Sequence, residues 1–489
     1  MLVPGAGIEP ALPCGKRILS PLRLPVSPPG HGDKSNVTRT PLAIRDILPA
    51  LHAPAVQTAD LPRKLRLRDA VGIVSGTIIG SGIFLVPNLV ARNLSSPPAA
   101  IALWIFAGIL SLFGALAYAE LGAMIPATGG PYVYLREAYG PMVAFLCGWT
   151  FFTVALSASV AWLGIAFSNY LGYLIPLSPW EAKAVALALI VIVAAFNYRR
   201  VTAGAAFQNA CAVLKISGLA VLIAGAFFLA HRAAPAAPYS VPLTFSRFNI
   251  AFMACLLSYD GWGALSFVAG EVREPHRNLT RAAAIGLAIV MSVYVLANLA
   301  YMRVLPLAEI AATDRVGALA AERIIGSAGG VLVTITVLFS IAGSMNGWVM
   351  TAPRIYFAQA RDGLFFRRMG EVHPRFGTPA FSIAIFCAWS AVLVLSGTYE
   401  SLASYAMFAS WISYGLTAAG VIILRRREPG RARPYRMPGY PITLILFIAV
   451  AATFVIGTCI ATPGPALAGG GLIATGIPVY YLWSRTRKS

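Results

Sequence analysis

The chain has 489 residues, of which 58% are hydrophobic and 11% are charged. Soluble globular proteins carry about 25% charged residues, so this composition excludes a soluble protein and indicates an all-α polytopic membrane protein. The formal net charge of +20 would suggest a nucleic-acid partner for a soluble chain, so the placement of the basic residues has to be decided first.

Residues 1–60 differ from the rest of the chain because they are rich in Pro and Gly and contain no sustained apolar run. This composition predicts a disordered N-terminal extension, with the membrane domain in residues 61–489. The six cysteines occur singly and lack the spacing of metal ligands, so no metal site is expected.

Runs of about 20 apolar residues, the length that crosses a bilayer as a helix, predict twelve transmembrane spans. The spans, numbered 1 to 12 in chain order, are 68–91, 99–124, 142–172, 183–198, 206–230, 249–269, 281–303, 328–358, 380–397, 402–424, 441–461 and 466–484. A short helix with Tyr and charged residues, flanked by Pro and Gly-Gly turn signals in segment 125–141, predicts an in-plane helix on the cytoplasmic side.

The basic residues indicate the orientation of these spans. With the N-terminus inside, 24 of the Lys and Arg residues from Arg63 onward fall in inner connections and the C-terminal tail, and seven fall in outer connections. Positive residues concentrate on the cytoplasmic side of membrane proteins. We therefore expect a multi-pass protein of the cell inner (cytoplasmic) membrane with both termini in the cytoplasm, and no nucleic-acid partner.

Spans 1 and 6 both carry a weak point at mid-membrane. Glycines at 72, 76, 80 and 82 weaken span 1, and an Asp-Gly pair at 260 and 261 interrupts span 6. Interrupted helices at corresponding positions of two halves indicate an inverted-repeat secondary transporter with its binding site at the breaks. We therefore predict a first repeat in 67–230, a second in 248–424, and two appended helices in 441–484.

The break in span 1 is suited to an anion such as a carboxylate. Free N–H groups at the start of the following half-helix carry positive potential, Gly80 and Gly82 let a ligand touch the backbone, and Ser81 adds a hydroxyl. An alternative is that Gly72, Gly76 and Gly80 form a packing face for a neighbouring helix, and both can hold.

An ammonium group needs free carbonyls at the end of a half-helix, which both breaks supply. The carboxylate of Asp260 has three alternative roles: it pairs with a cationic substrate, it carries a proton, or it only caps the second half-helix. The predicted substrate-binding residues are Thr77, Ile78, Ile79, Gly80, Ser81, Gly82, Leu257, Ser258, Asp260, Gly261 and Gly263.

Lys215 is the only basic residue deep in a predicted span, roughly 13 Å from the helix start at ~1.5 Å per residue. We predict a coupling role for it, either as a fixed positive charge beside the first break or as a titrating group. The alternatives are a strained snorkelling conformation or a lysine that faces an aqueous vestibule.

The remaining charged residues of interest cluster at the cytoplasmic ends of the spans, where they are solvated or form ion pairs that lock an inner gate. They are Glu120, Arg136, Glu137, Glu271, Arg273, Arg354, Arg361 and Asp362. No nucleophile and base pattern and no phosphate loop occurs, so neither enzymatic activity nor a cofactor is predicted. A channel and a polytopic membrane enzyme remain as rival function classes.

Six motifs in order along the chain resemble the L-type amino-acid transporter family, within the amino acid, polyamine and organocation transporter superfamily, and the chain is similar to its bacterial members. They are GTIIGSGIF (76–84), AYAELGAMIPATGGPYVYLREAYGP (117–141), QNACAVLK (208–215), YDGWGALSFVAGEVREPHRNLTRA (259–282), SMNGWVMTAPRIYFAQARDGLF (344–365) and LRRREPGRARPYRMPGYP (424–441).

This resemblance implies a LeuT-like fold of five plus five helices that transports amino acids by alternating access. It implies that Ser81 and Gly82 hold the substrate carboxylate, and that carbonyls of Ile78, Leu257 and Asp260 hold the ammonium. Lys215 matches a family lysine that occupies the place of a sodium ion in sodium-coupled relatives, which implies sodium-independent exchange or proton coupling.

The sequence departs from the family pattern at three places. Leu257 replaces a frequent aromatic residue, and Gly263 replaces a frequent Asn, which we expect to enlarge the site. The outer loop 173–183 has no Cys, so no disulfide-linked heavy chain is expected. The apolar surroundings, with Ala264 and Leu265 nearby, favour neutral amino acids, whereas Asp260 keeps proton-coupled transport of cationic amino acids or polyamines as the alternative.

Overall fold

The computed structural model describes residues 61–230, 239–397, 399–461 and 463–486, and the predicted disorder of residues 1–60 lies outside them. Regular structure in the described residues is helical. The first half contains α1 (Leu67–Ile78), α2 (Gly82–Asn93), α3 (Pro97–Met124), α4 (Pro131–Tyr139), α5 (Pro141–Thr150), α6 (Leu156–Leu171), α7 (Pro179–Arg199) and α8 (Val201–Phe228).

The second half of the chain continues the helical arrangement. It contains α9 (Phe245–Ser258), α10 (Ala264–Phe267), α11 (Pro275–Val304), α12 (Leu307–Ala312), α13 (Val316–Ile325), α14 (Ser327–Thr351), α15 (Pro353–Arg361), α16 (Ala380–Ser396), α17 (Tyr399–Arg427), α18 (Ile442–Ala461) and α19 (Pro463–Thr486).

The described residues confirm the predicted class of an all-α polytopic membrane protein. Nine helical segments among them are long and apolar enough to cross a membrane, and ten if α1 and α2 form one bent span. The helices α9 and α16, which cover predicted spans 6 and 9, are apolar but shorter than that criterion. The exact number of twelve spans therefore stays a prediction.

Proline and glycine residues mark the ends of several helices, as expected from the sequence. Proline occupies the first positions of α3, α4, α5 and α7, where its missing N–H group has no helical partner to lose. Glycines 130 and 140 flank α4 with φ values of 49° and 95°, which a residue with a side chain rarely adopts.

Three elements were not predicted from the sequence. The helices α12 and α13 are too short to produce a span-length apolar run, and they lie in the connection between predicted spans 7 and 8. A π-helical turn at Phe151–Ala155 joins α5 to α6 inside predicted span 3. A single wide turn of this kind leaves no periodicity signal in a uniformly apolar segment.

Both predicted weak points are interruptions in the structure. The axes of α1 and α2 differ by 42° across the break at residues 79–81. The second break separates α9 from α10, and Gly261 within it has a φ of +114°. A Cβ atom on Gly261 would lie 2.9 Å from the Thr77 side chain and 3.2 Å from the Ile78 nitrogen, so the two breaks approach each other closely.

The helices around the breaks form the centre of the described structure. The first half-helix, α1, packs against α8, α11 and α14, and also contacts α10. The segments formed by α5 with α6 and by α14 with α15 are largely buried, whereas α7, α18 and α19 expose most of their apolar surface. An exposed apolar face on a helix of this length is the surface that a bilayer would cover.

Candidate functional site

A cavity of about 810 Å³ lies where the two helix breaks meet. The first break contributes Thr77, Ile78, Gly80, Ser81 and Gly82, and the second contributes Leu257, Ser258 and Asp260. The sequence therefore identified residues that the fold brings together. The other three predicted residues, Ile79, Gly261 and Gly263, do not line this cavity.

The floor of the cavity at the first break is backbone, because two glycines leave no room for side chains. A Cβ atom on Gly82 would lie 2.9 Å from Ser258 Oγ and 3.2 Å from Ser258 Cα, and one on Gly80 would lie 3.2 Å from Ser344 Oγ. The first two N–H groups of α2, those of Gly82 and Ile83, have no acceptor inside their own helix, whereas the Phe84 N–H already donates to the Ser81 carbonyl at 3.0 Å. An anionic group in the cavity would meet these N–H groups and the positive end of α2.

Lys215 of α8 lies behind the first break and is fully buried. Its Nζ donates hydrogen bonds to the carbonyl oxygens of Gly76 at 2.6 Å and Ile79 at 2.5 Å, and a longer one to Ser340 at 3.4 Å. The ammonium therefore compensates carbonyls that the end of α1 leaves without helical donors. Both the snorkelling conformation and the aqueous vestibule are wrong for Lys215, because it is enclosed and bonded to backbone.

Two serines of α14 complete the carbonyl contacts of the first break. Ser340 Oγ lies 2.9 Å from the carbonyl oxygen of Ile79 and 3.1 Å from that of Gly80, and Ser344 Oγ lies 3.1 Å from that of Ile79. Ile79 therefore contributes its carbonyl to this buried cluster rather than its side chain to the cavity. Together with Lys215, the two hydroxyls fix the path of the unwound segment.

Tyr294 of α11 connects the two breaks and was not predicted as a site residue. Its buried hydroxyl lies 3.1 Å from the carbonyl oxygen of Ile78 and 2.9 Å from that of Ser258, so its single proton is shared between these two acceptors. A tyrosine in the middle of an apolar span was the only sequence signal that could have indicated this role.

The second break places a carboxylate at the cavity. Asp260 is half-buried, and its Oδ1 accepts a hydrogen bond of 3.0 Å from the Tyr414 hydroxyl. The prediction that Asp260 caps the second half-helix is wrong, because Gly263 occupies the N-cap position of α10 and no side chain caps it.

The carbonyls of the second break differ in their availability. The Leu257 carbonyl accepts the Asp260 N–H at 3.1 Å, and the Ser258 carbonyl accepts from Tyr294. Within the described residues, no hydrogen bond reaches the carbonyl oxygen of Asp260. That oxygen is therefore available as an acceptor at the cavity.

Gly263 does not enlarge the cavity as expected from the sequence. A Cβ atom there would lie 3.4 Å from the Tyr118 ring and 4.0 Å from the Tyr414 ring, at ordinary contact distances. Trp262 packs between these rings, with centroid distances of 5.0 Å and 4.9 Å. The position of Gly263 therefore faces an aromatic cluster beneath the break, and Ala264 and Leu265 are likewise absent from the cavity lining.

The wall away from the breaks comes from helices that the sequence analysis did not connect to the site. The lining residues on these helices are Ser159, Trp162, Leu163, Ser344, Trp348 and Met407. The cavity continues along α2 to Arg92, whose Nη2 atom lies 3.2 Å from Asp314 Oδ1. Both side chains are exposed, so this end of the cavity reaches the surface of the described structure.

The opposite side of the molecule holds the charged residues that were predicted to lock a gate. Arg354 and Glu271 form a fully buried pair through Nε–Oε1 at 2.7 Å and Nη2–Oε2 at 3.2 Å. Glu120 pairs with Arg425 at 2.8 Å and 2.6 Å, and Arg136 pairs with Asp362. These contacts confirm ion pairing rather than free solvation for the five predicted residues Glu120, Arg136, Glu271, Arg354 and Asp362, and Arg425 is a partner that was not predicted.

A short strap joins the chain before α1 to the Glu271 ion pair. The Leu65 N–H donates to the carbonyl of Glu271 at 3.0 Å, and the Arg273 N–H donates to the carbonyl of Leu65 at 2.8 Å.

Tyr132 on α4 donates to Asp362 at 2.6 Å, and burial together with this bond raises the pKa of the Tyr132 phenol. Within the described residues, no group of three or more His, Cys, Asp or Glu side chains could hold a metal ion.

Comparison with known proteins places this geometry in a family. The profile of the family described as "Amino acid permease" matches residues 65–483. The serine/threonine exchanger SteT of Bacillus subtilis (strain 168) is 32% identical over 433 residues, which cover 88% of this chain and 98% of that protein.

Animal transporters are similar over nearly the same region. The b(0,+)-type amino acid transporter 1 of Homo sapiens is 32% identical over 406 residues, covering 81% of this chain and 82% of its own. The large neutral amino acids transporter small subunit 2 of Mus musculus is 32% identical over 439 residues, covering 86% of this chain and 81% of its own.

Proposed function

Because the chain belongs to the amino acid permease family and, within it, to the L-type amino-acid transporters, we propose that it is a sodium-independent transporter of neutral amino acids. It works as a permease or exchanger in the cytoplasmic membrane. The observation that carries the proposal is the cavity of about 810 Å³ between the two breaks, with the Lys215 ammonium bonded to carbonyls of the first. The relatives named above are transporters, and we propose that this chain, too, is not an enzyme.

The proposed substrate pose follows from the polarity of the two breaks. The α-carboxylate lies at the N-terminus of α2, against Ser81 and Gly82, where N–H groups and the helix dipole favour negative charge. The α-ammonium lies between the carbonyls of Ile78 and Asp260, with the Leu257 carbonyl beside it. Fixed backbone dipoles thereby replace the water molecules that solvate the two charged groups of a free amino acid.

Sodium independence rests on the position of Lys215. A sodium ion at this position would need the same carbonyl oxygens of Gly76, Ile79 and Ser340 that the ammonium already contacts. A cation and an ammonium within hydrogen-bond distance of the same oxygens repel each other strongly in a buried site. The lysine therefore supplies, as part of the protein, the positive charge that a coupling ion would supply transiently.

The neutral substrate class rests on the wall of the cavity. Trp162, Leu163, Trp348 and Met407 surround the space that a substrate side chain would occupy, and none of them carries a charge. Two of the relatives named above are a serine/threonine exchanger and a large neutral amino acids transporter, and substrates of these kinds have uncharged side chains.

A second candidate function is proton-coupled transport of cationic amino acids or polyamines. The observation that favours it is the half-buried carboxylate of Asp260 in the cavity lining, with Asp314 near the mouth. A cationic group within reach of Asp260 would gain an ion pair at low dielectric. Tyr414 already satisfies one carboxylate oxygen, which lowers the gain available to a substrate cation.

The proposed architecture comprises twelve spans with both termini in the cytoplasm. Residues 67–230 form the first inverted repeat, 248–424 the second, and 441–484 the two appended helices. In the state described here, the cavity extends to Arg92 and Asp314 while buried ion pairs close the opposite side. This arrangement corresponds to the outward-facing state of an alternating-access cycle, and we expect no disulfide-linked partner because loop 173–183 contains no Cys.

Counterflow identifies the substrate directly. Purified protein in proteoliposomes preloaded with an unlabelled amino acid is tested for uptake of each of the twenty labelled amino acids and of common polyamines. We expect uptake of labelled neutral amino acids, and we expect this uptake to be faster when the proteoliposomes contain an unlabelled amino acid. Fastest uptake of lysine, arginine or a polyamine would establish the second candidate, and no uptake of any compound, or single-channel currents, would contradict both.

A further inference from the structure

An apolar groove on the outer surface of the helical bundle shares no lining residue with the cavity at the breaks. It has a volume of about 660 Å³ and runs between α7 and α16. Small residues form much of its walls, so the gap between the two helices is open to the side. The lining residues within the two helices are Ile190, Val191, Ala194, Ala195, Tyr198, Arg199, Ile383, Ala384, Cys387, Ala388 and Ala391.

Hydrogen bonds join the two helices at both ends of the groove. At one end, Lys183 Nζ on α7 donates to the carbonyl of Leu395 on α16 at 2.9 Å. At the other end, Thr378 Oγ1, which precedes α16, donates to the carbonyl of Tyr198 at 2.7 Å. The walls between these two ties carry no charge.

An aromatic cluster marks the end of the groove near Tyr198. The ring of Tyr198 lies 5.8 Å from Phe376 and 6.0 Å from His373, and the latter two rings stack at 4.3 Å. Aromatic rings with a polar edge are typical of the level at which lipid headgroups meet the hydrocarbon core. The groove thus has an apolar body at acyl-chain depth and an amphipathic end at headgroup depth.

Two guanidinium groups stand at the same end. Arg199 lines the groove, and the Arg375 Cζ atom lies 5.8 Å from the centroid of Phe376. Both side chains belong to exposed residues, and neither forms an ion pair within the described part of the chain. The segment 367–379 contains three arginines against one acidic residue, Glu371.

We propose that this groove binds one anionic phospholipid, with an acyl chain between α7 and α16 and the phosphate at Arg199 and Arg375. Guanidinium groups pair with phosphate oxygens in a bidentate geometry, and basic pockets between transmembrane helices on the cytoplasmic side recognise anionic headgroups. The end near Tyr198 lies on the side of the chain that is rich in Lys and Arg.

A second groove of similar size provides the internal comparison. It has a volume of about 640 Å³ and lies between α8 and α11. Its only lining cation, Arg303, already donates from Nε to the carbonyl of Ala226 at 2.8 Å. This second groove therefore offers an acyl chain a similar space with a single guanidinium that two backbone carbonyls already hold, and the proposal assigns it no preference for anionic headgroups.

The test is native mass spectrometry of the delipidated full-length protein, titrated with phosphatidylglycerol or with phosphatidylcholine of the same acyl chains. We expect one phosphatidylglycerol to bind at least tenfold more tightly than phosphatidylcholine. The R199Q and R375Q variants should each weaken phosphatidylglycerol binding about fivefold, whereas R436Q, which removes an exposed arginine elsewhere on the same side, should leave it unchanged.

Filling the groove separates the acyl-chain contribution from the headgroup contribution. Ala388→Phe should abolish the tight site, and Ala224→Phe, which fills the second groove, should retain it. Melting temperatures in neutral detergent, compared with wild type, verify that each variant is folded. Equal binding of the two lipids, or unchanged affinity in both arginine variants and in Ala388→Phe, would overturn the proposal. A change of oligomeric state in Ala388→Phe without loss of lipid binding would identify the groove as a contact between two copies and would also overturn it.

Discussion

The charges at the two helix breaks are opposite in sign, and they differ in burial and in bonding partners. At the first break, the positive charge of Lys215 is fully buried and bonded to backbone carbonyls on its inner side. At the second break, the negative charge of Asp260 is half-buried, faces the cavity and bonds to the Tyr414 hydroxyl. A buried charge with fixed hydrogen-bond partners holds the backbone of the break in place, whereas a charge that lines a cavity remains available to a solute. We therefore expect changes at the first break to cost more transport than changes at the second.

Gly82→Val should produce the largest effect. The added Cβ atom would lie 3.2 Å from Ser258 Cα, which is backbone and cannot move aside cheaply, and the branched side chain would occupy the space in front of the α2 N-terminus. We expect uptake of labelled amino acids in proteoliposomes to fall at least about 100-fold, equivalent to about 2.7 kcal/mol in transition-state free energy.

A matched glycine shows whether this loss is specific. Gly471→Val in α19 adds the same side chain at a site where a Cβ atom meets nothing within 4 Å, and it should transport like wild type. Size-exclusion profiles of both variants should match that of wild type. Normal uptake by a folded Gly82→Val variant would exclude the first break from the substrate site.

Lys215→Met should have the second-largest effect, because it removes the ammonium while it keeps much of the aliphatic volume. The carbonyls of Gly76 and Ile79 would lose a charged donor, and each unsatisfied buried group costs about 1–3 kcal/mol. We expect a lower melting temperature and at least about a tenfold loss of uptake. The control is Lys183→Met, which removes one hydrogen bond near the surface and should change the melting temperature and the uptake by no more than a small fraction. Equal behaviour of the two variants would refute the special role of Lys215.

Tyr294→Phe tests the connection between the two breaks. The change removes one hydroxyl that serves the carbonyls of Ile78 and Ser258 and leaves the ring in place. A neutral hydrogen bond contributes about 1 kcal/mol, so uptake should fall about fivefold through a higher KM. Tyr301→Phe on the same helix, whose buried hydroxyl has no partner in the described residues, is the control and should be neutral. An unchanged KM in Tyr294→Phe would show that the breaks are positioned independently.

Asp260→Asn should have the smallest effect on neutral substrates. Asn keeps an oxygen that can accept from Tyr414, so the local geometry persists while the charge is lost. We expect neutral amino acid uptake to stay within about threefold of wild type, since the bond retained is worth roughly 1 kcal/mol. Uptake that is lost together with its pH dependence would instead favour the proton-coupled transport of cationic substrates.

Much of this arrangement could be predicted because it depends on backbone chemistry. Glycines and an Asp-Gly pair inside apolar spans indicate interruptions regardless of tertiary context, and Lys215 is conspicuous because charge is costly in a bilayer. These features identified eight residues that line the cavity.

The rest could not be predicted because side chains with the same chemistry have different surroundings. Trp162 and Trp348 line the cavity, and Trp389 on α16 is 36% exposed, yet all three lie in uniformly apolar segments. The family resemblance implied that Gly263 enlarges the site, but the turn at Gly261 directs it towards Tyr118 and Tyr414. The contact between α11 and the breaks through Tyr294 depends on long-range packing, which no local pattern encodes.

The most direct test of the central claim, that Lys215 replaces a coupling cation at the first break, is uptake in sodium-free medium. Labelled neutral amino acid is added to proteoliposomes in buffers of equal ionic strength that contain either sodium or choline, with amino acid inside as counter-substrate. We predict equal initial rates in the two buffers. A strict sodium requirement would contradict the account, because the carbonyls of Gly76 and Ile79 would then have to be released from Lys215 for a sodium ion during transport.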